Sequence, residues 1–379
     1  MSIRGVFLFV LVATWFAAGP GLMPADTAAQ SGFVIEPVDS TGDVGVQTSI
    51  AIDRFGFPHV GYIAASPLYD VKYARKSATG WSLETASDIA SPLSATSLVL
   101  DSNDNPAMVT GVNEAAYIFN DGSGWTVEEI GGFATWFATL ALDNNGVPCV
   151  LYNWSVYKEW YSRVTYAIRI GTGTWLASDI GSGPFTPLSP DYALAFDSNN
   201  YRHVACIQTN SDTLQYWYSG GGTSIFKKFT RASNCDIAVD LLDRPHIVYY
   251  DYEQADLILL IRDGLTWTST TIDQSGDVGR YCSVAVGADG SCHISYYDAD
   301  NGDLKYAARP GPAGAWDIQV VDDGAYVGQW TSIALDDAGR PHLAYYDASN
   351  GDLKYATLAH PVPVKNNTWG ALKARLDQR

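Results

Sequence analysis

The sequence predicts an all-β chain folded as a seven-bladed β-propeller of four-stranded antiparallel blades. Three observations carry this expectation. A segment of roughly 47 residues recurs seven times; each copy divides into four short strand-like runs separated by turn residues; and the last copy lacks its fourth run, which the N-terminus supplies. The clearest copy is SIALDDAGRPHLAYYDASNGDLKYA, residues 332 to 356.

The register is counted from an anchor that ends the first run: Asp53, Asp101, Asp143, Asp197, Asp240, Gly287 and Asp336. Two residues earlier stand Ala51, Val99, Ala141, Ala195, Ala238, Ala285 and Ala334. Six residues after the anchor come His59, Ala107, Cys149, His203, His246, His293 and His342, so five of the six histidines share one repeat position. The first run alternates as a strand with two unlike faces does, for example at Ser332, Ile333, Ala334 and Leu335. A DxxGxP turn follows, built from residues that set turn dihedrals. It leads into PHLAYYD and then, past the hairpin signals Asn301-Gly302 and Asn350-Gly351, into a third run such as DLKYA.

The fourth run opens on an aromatic residue: Trp81, Trp125, Trp175, Phe226, Trp267 and Trp316. The seventh lies at the other end of the chain, where FVIEPVD from Phe33 resembles WDIQVVD from Trp316. The N-terminal strand is therefore expected to complete the last blade and close the ring without leaving a long unpaired edge.

A chain of 379 residues suggests two or three domains by length, but a repeat array is one unit. With 47% hydrophobic, 13% aromatic and 17% charged residues it can bury a large core. Residues 1 to 30 read as a secretory signal peptide: Arg4 precedes an apolar run from Val6 to Ala18, and small residues Thr27, Ala28 and Ala29 follow. That run is too short for a comfortable membrane span. The propeller is expected over 31 to 360, as a monomer that is secreted or held at the cell surface, with the periplasm as the alternative. The 361 to 379 tail carries a short helix-like run at 371 to 376. The net charge of −18 is unchanged by loss of Arg4 and Asp26, and argues against nucleic acid or an anionic membrane as partner. No transmembrane segment is expected in the mature chain.

Five cysteines are an odd number for a disulfide framework. Cys235 and Cys282 share a repeat position in consecutive copies, and sequence does not decide whether they meet; Cys149, Cys206 and Cys292 read as small buried apolar residues. Two metal readings arise, although no cofactor is expected. A ring of imidazoles from His59, His203, His246, His293 and His342 suits a transition metal, yet a role repeated in every unit is more simply structural, with each histidine locking its turn. The acidic turns Asp298, Asp300, Asn301, Asp303 and Asp347, Asn350, Asp352 suit calcium, but their glycines also make a tight hairpin.

Copies stop resembling one another just before the first run, where Trp136, Phe137, Tyr192, Arg280, Tyr281 and Trp330 stand. This edge and the end of the second run share one mouth of a propeller, so Tyr297, Asp298, Tyr346 and Asp347 join the candidates, as do Trp154, Tyr157 and Trp160 from an enlarged loop in the third copy. Variation on a fixed scaffold marks a site. Aromatic faces beside carboxylates and amides suit sugar rings, while the bland alternative is packing between blades.

The turns KSATGW at 76 to 81 and NDGSGW at 120 to 125 resemble a degenerate Asp-box (BNR) turn, SxDxGxxW, of sialidase-like propeller repeats found in secreted bacterial proteins. The resemblance implies an exported, carbohydrate-associated scaffold. It departs from sialidases in lacking their N-terminal arginine segment, and Arg163, Arg202, Arg231 and Arg280 fall at unrelated repeat positions. The leading expectation is a non-catalytic binding module for an extracellular glycan or protein. A glycoside hydrolase or lyase using Asp251 and Glu253 is the alternative, and a structural surface protein the third.

Overall fold

The computed structural model describes residues 32–65, 69–88, 96–111, 114–131, 137–156, 161–184, 192–208, 213–220, 227–311 and 314–359. The expected signal peptide and C-terminal run lie outside the described residues, as does Phe226. Seven four-stranded antiparallel sheets form, and no helix occurs among the described residues.

The chain begins at β1 (Phe33–Asp39) and then lays down one blade after another. The first blade is β2 (Val44–Ile52), β3 (Pro58–Ala64), β4 (Asp70–Ser77) and β5 (Gly80–Ser87); the second is β6 (Ser97–Leu100), β7 (Pro106–Gly111), β8 (Ala115–Asn120) and β9 (Trp125–Gly131). The third is β10 (Ala138–Leu142), β11 (Pro148–Val156), β12 (Tyr161–Gly171) and β13 (Thr174–Pro184); the fourth is β14 (Tyr192–Phe196), β15 (Arg202–Gln208), β16 (Thr213–Tyr218) and β17 (Lys227–Thr230). The fifth is β18 (Ala232–Val239), β19 (Pro245–Asp251), β20 (Asp256–Asp263) and β21 (Thr266–Asp273); the sixth is β22 (Val278–Val286), β23 (Cys292–Asp298), β24 (Asp303–Arg309) and β25 (Asp317–Asp322). The seventh contains β26 (Val327–Leu335), β27 (Pro341–Asp347) and β28 (Asp352–Leu358), and β1 pairs with β28 from Phe33↔Leu358 to Asp39↔Leu353 as its fourth strand.

The core is a ring of seven apolar clusters, one at each blade interface. An aromatic at the start of the outer strand packs against a strand-three tyrosine of the preceding blade: Trp125 on Tyr73, Trp175 on Tyr117, Trp267 on Tyr216 and Trp81 on Tyr355, with ring centroids 4.9 to 5.4 Å apart. Phe33 packs on Tyr306 in the same way at 5.2 Å. The first aromatic of the described chain thus does for blade seven what tryptophan does elsewhere.

The recurrent anchor acid builds the turn between the first two strands. Asp53 Oδ1 accepts the Phe55 and Phe57 N–H groups at 2.9 and 2.8 Å, and Asp240 and Asp336 accept the equivalent pairs. The histidines are tied into this device rather than arranged around the channel. His203 Nδ1 lies 2.7 Å from Tyr216 Oη and its Nε2 3.4 Å from Asp197; His59 sits likewise between Tyr73 and Asp53, and His342 between Tyr355 and Asp336. Where blade six has Gly287 for the anchor acid, Ser291 Oγ takes the carboxylate's place 2.9 Å from His293 Nε2. Blade five has Leu259 where the others place the tyrosine, and His246 Nδ1 is left buried without a partner. The imidazole-ring metal reading gives way to this structural one: each ring is held within its own blade, and no cluster of three ligating side chains occurs among the described residues. None of the five cysteines forms a disulfide, Cys235 and Cys282 included.

Candidate functional site

A cavity of about 340 Å³ opens at the axis, lined by residues from the innermost strands of all seven blades or the positions just before them. Its size falls in the range of small-ligand sites. Counting back from the anchor explains its lining, because three successive repeat positions face it.

The position six before the anchor holds Gln47, Asn234, Tyr281 and Trp330 in blades one, five, six and seven, all with left-handed φ of 48° to 55°. Bulky side chains seldom adopt this conformation, and it costs of order 1 to 3 kcal/mol. The strands bulge there: pairing registers shift between Val46 and Ser49, Ser233 and Cys235, Arg280 and Ser283, and Gln329 and Ser332. The next blade secures several of the displaced carbonyls. Thr48 Oγ1 donates to the Trp330 carbonyl at 2.5 Å, Thr96 to that of Gln47, and Cys282 Sγ to that of Asn234 at 3.5 Å. The bulge is thus built between blades, and it delivers Tyr281 and Trp330 to the cavity.

Two positions further on lies a belt of small side chains, polar in six of seven blades: Ser49, Ser97, Thr139, Ala193, Asp236, Ser283 and Ser332. Each serine accepts an N–H from the strand of the next blade, at Leu98 (2.9 Å), Leu140 (3.1 Å), Ile333 (3.3 Å) and Ile50 (3.2 Å) respectively for Ser49, Ser97, Ser283 and Ser332. Asp236 does the same for Val284 N–H through Oδ2 at 2.9 Å, and also accepts Ser283 Oγ–H at 2.9 Å. Its other oxygen accepts its own neighbour, Ile237 N–H, at 2.8 Å. Ala193 in the preceding blade has no hydroxyl to offer that N–H, so one carboxylate performs two of the belt's tasks. Burial raises the Asp236 pKa above the ordinary carboxylate value.

Tyr281 and Trp330 form an aromatic wall, with centroids 5.3 Å apart; Tyr297 stands 6.1 Å behind Tyr281 and Tyr346 5.4 Å behind Trp330. Phe137 and Tyr192 complete the aromatic lining across the channel. Of the residues expected at this mouth, Phe137, Tyr192, Tyr281 and Trp330 line the cavity, and Tyr297 and Tyr346 support the wall from a buried position. Tyr346 also donates to Asp43 at 2.7 Å, and burial followed by that carboxylate pushes its phenol pKa up.

The remaining expectations fall elsewhere. Arg280 turns to Asp277, with Nη2 at 2.5 Å, and lies over Tyr250. Asp298 and Asp347 are buried in their own hairpins: each accepts the backbone N–H and side-chain amide of Asn301 or Asn350, and Lys305 and Lys354 stand 3.7 and 3.2 Å away. Of the oxygens considered for calcium, those of Asp298 and Asp347 are therefore engaged by their own turns, and Asp300 accepts Asp277 N–H at 2.9 Å. Asp251 caps its turn through Glu253 N–H at 3.0 Å, while Glu253 pairs with Arg231; neither lines the cavity. Trp154 is placed in β11 opposite Arg163, though its side chain lies outside the described residues, as do Trp136, Tyr157 and Trp160. Reading the sequence for aromatics passed over Gln47, Asn234 and Asp236. The signal for Asp236 was the column four before the anchor, where one acid and one alanine interrupt serine and threonine; Gln47 and Asn234 stand two places earlier.

No protein-family model matches the sequence, and no curated protein matches it. Similar solved structures include an ulvan lyase, a new family of polysaccharide lyase, bound to -[GlcA(1-4)Rha3S]- (TM-score 0.59, 12% identity, covering 84% of this chain and 95% of that one). A virginiamycin B lyase from Staphylococcus aureus is also similar (TM-score 0.55, 9% identity, 86% and 99%), as is the Aleuria aurantia lectin in complex with Fucα1-6GlcNAc (TM-score 0.51, 11% identity, 74% and 97%). At these identities the likeness is one of fold: the chain is a β-propeller, with a lectin and two lyases among the structures it is similar to.

Proposed function

We propose that the protein is a non-catalytic binding propeller that takes a saccharide at the mouth of its central channel. The observation that carries this reading is the pair Tyr281 and Trp330, held in left-handed backbone conformations so that both rings reach a cavity whose lining also holds many hydroxyls and amides. Strain kept where glycine would relax it suits a residue retained for its side chain. Ring faces accept the C–H faces of a sugar, and the Ser and Thr belt beside Gln47 and Asn234 offers partners for its hydroxyls.

The Asp-box likeness of the 76 to 81 and 120 to 125 turns supports the same carbohydrate-associated scaffold, and the Aleuria lectin in complex with Fucα1-6GlcNAc is a propeller that holds a saccharide. The apolar run near the N-terminus supports export to the cell surface, the medium or the periplasm, where such a ligand is met, and we place the protein there as a monomer. A hydrolase built on Asp251 and Glu253 gains no support from their positions, since one caps a turn and the other pairs with Arg231.

Calorimetric titration with neutral oligosaccharides tests the reading. Saturable binding without turnover is expected, weakened at least about tenfold in Trp330→Ala, as for loss of an aromatic anchor. Folded protein that binds no saccharide on a broad glycan array would refute it.

A further inference from the structure

The charge of the lining carries the argument further, on the basis of the reading just given. Among the described residues around the cavity Asp236 is the one charged side chain; no lysine, arginine or histidine accompanies it. Its three hydrogen-bond donors are two backbone N–H groups and the Ser283 hydroxyl, all uncharged. No cation stands beside the carboxylate among the described residues, and against the upward pull of burial on its pKa these three donors, all directed at its two oxygens, favour the ionised form. The surrounding body, at a net −18, adds a field of the same sign.

We propose that the channel mouth selects saccharides that carry no acid group, admitting neutral sugars and those with a protonated amine, and that Asp236 sets this selection. A second carboxylate at about 6 Å from Asp236, in a site partly open to water, is disfavoured by about tenfold in affinity. A uronic or sialic acid meets this repulsion with no arginine among the described lining residues to offset it, whereas the hydroxyl of the corresponding neutral sugar meets a hydroxyl belt. Uronate-containing polymers are thereby excluded as ligands of this site.

The belt's construction supplies a test that removes the charge and keeps the hydrogen bonds. Serine at 236 restores the acceptor for Val284 N–H used in four other blades, and serine at 193 supplies the acceptor for Ile237 N–H that Asp236 now provides. The double variant Ala193→Ser/Asp236→Ser thus has an uncharged belt with its backbone groups satisfied.

Calorimetry would use matched probes: cellobiose against cellobiouronic acid, and chitobiose against its N-deacetylated diamine. The wild type is expected to bind cellobiose at least about tenfold more tightly than the acid. In the double variant that gap should close to within about twofold. In the wild type alone, raising salt from about 0.02 M to about 0.5 M should narrow the same gap, a readout that does not depend on the variant folding. Equal affinity for the acidic and neutral members, or a gap unmoved by both the substitution and salt, overturns the selection while leaving saccharide binding intact. Absence of binding by all four probes and by a wider array to folded protein overturns both the selection and the binding reading beneath it.

Discussion

Tyr62 donates its hydroxyl to Asp39 at 2.7 Å across the seam where the chain's first strand joins its first complete blade. The same bond joins Tyr296 to Asp273 and Tyr345 to Asp322, each at 2.7 Å, where the outer strand follows its own blade's third strand in the chain. In those two the carboxylate also holds a lysine, Lys305 at 2.5 Å and Lys354 at 2.8 Å. At the seam Asp39 accepts Thr41 N–H at 3.0 Å in addition to the tyrosine. Tyr62→Phe leaves a buried carboxylate oxygen short of its donor and is expected to cost about 1 to 3 kcal/mol in denaturant unfolding. Tyr296→Phe should cost less, because Lys305 remains on Asp273. Equal costs in the two variants would show that the lysine contributes nothing to the interface.

Acid stability should track the histidines. Burial lowers the pKa of His59, His203, His246, His293 and His342, and takes His293 down to about 4. His293 falls furthest because Gly287 has replaced the anchor acid, so no carboxylate stands where the other four have one within 3.5 Å. A base whose folded pKa is depressed binds its proton more readily when unfolded. Its contribution is complete above the unfolded value near 6.5 and is lost as pH falls toward 4, about 2 kcal/mol at pH 5 for His293 alone. Turn acids such as Asp53 and Asp240, held below the usual carboxylate value by turn and histidine hydrogen bonds despite their burial, add their loss only at lower pH. An NMR titration should find the His293 ring neutral down to about pH 4, the lowest of the five. Its protonation near 6.5 in folded protein would refute the assignment.

Close approach between blades rests on three equivalent glycines. Gly45, Gly279 and Gly328 have φ of 100° to 111°, and a Cβ on each would meet the backbone of Leu353, Leu257 or Leu304 in the preceding blade at 2.7 to 2.9 Å. Alanine would be strained by its φ and would also push two sheets apart. Gly328→Ala is expected to cost more than about 2 kcal/mol, combining backbone strain with overpacking. Gly339→Ala is the control: φ is 76° but nothing lies within 4 Å of the added atom, so the cost should fall to the strain alone. Similar losses in both variants would remove the packing part of this explanation.

The fold was legible because the repeat is periodic and its punctuation is physical: an anchor acid for each turn, a glycine step for each hairpin, an aromatic for each outer strand. Even the closure could be read, since Phe33 and Asp39 occupy the places of Trp316 and Asp322. The site was legible only in part. Tyr192, Tyr281 and Trp330 were visible as aromatics where copies diverge, but place in the repeat does not separate them from Arg280 beside Tyr281 or from Asp298 and Asp347 at the end of the second run, whose partners Asp277, Asn301 and Asn350 are met through turns whose geometry spacing does not reveal. Asp236 was hidden for the opposite reason. Its meaning lies in contacts with the neighbouring blades, through Ser283, Val284 and the missing hydroxyl at Ala193, which become neighbours only once the ring has closed.

The left-handed column offers a way to separate ligand-binding side chains from packing ones. Glycine at any of its four left-handed positions removes the backbone strain of order 1 kcal/mol or more. At Gln47 little else is lost, so Gln47→Gly is expected to raise stability by about 1 kcal/mol, and Gln47→Val, β-branched at φ 55°, to lower it. Trp330→Gly gains the same relief but gives up its contacts with Tyr281 and Tyr346. The two effects oppose, and stability should change by less than about 2 kcal/mol while affinity for a neutral saccharide falls at least about tenfold. Truncating a fully buried ring, as in Tyr345→Ala, should cost about 3 to 5 kcal/mol by comparison. If Trp330→Gly lost as much stability as that and left affinity untouched, Trp330 would belong to the core, and the strain at its backbone would serve the packing of blades six and seven rather than a ligand.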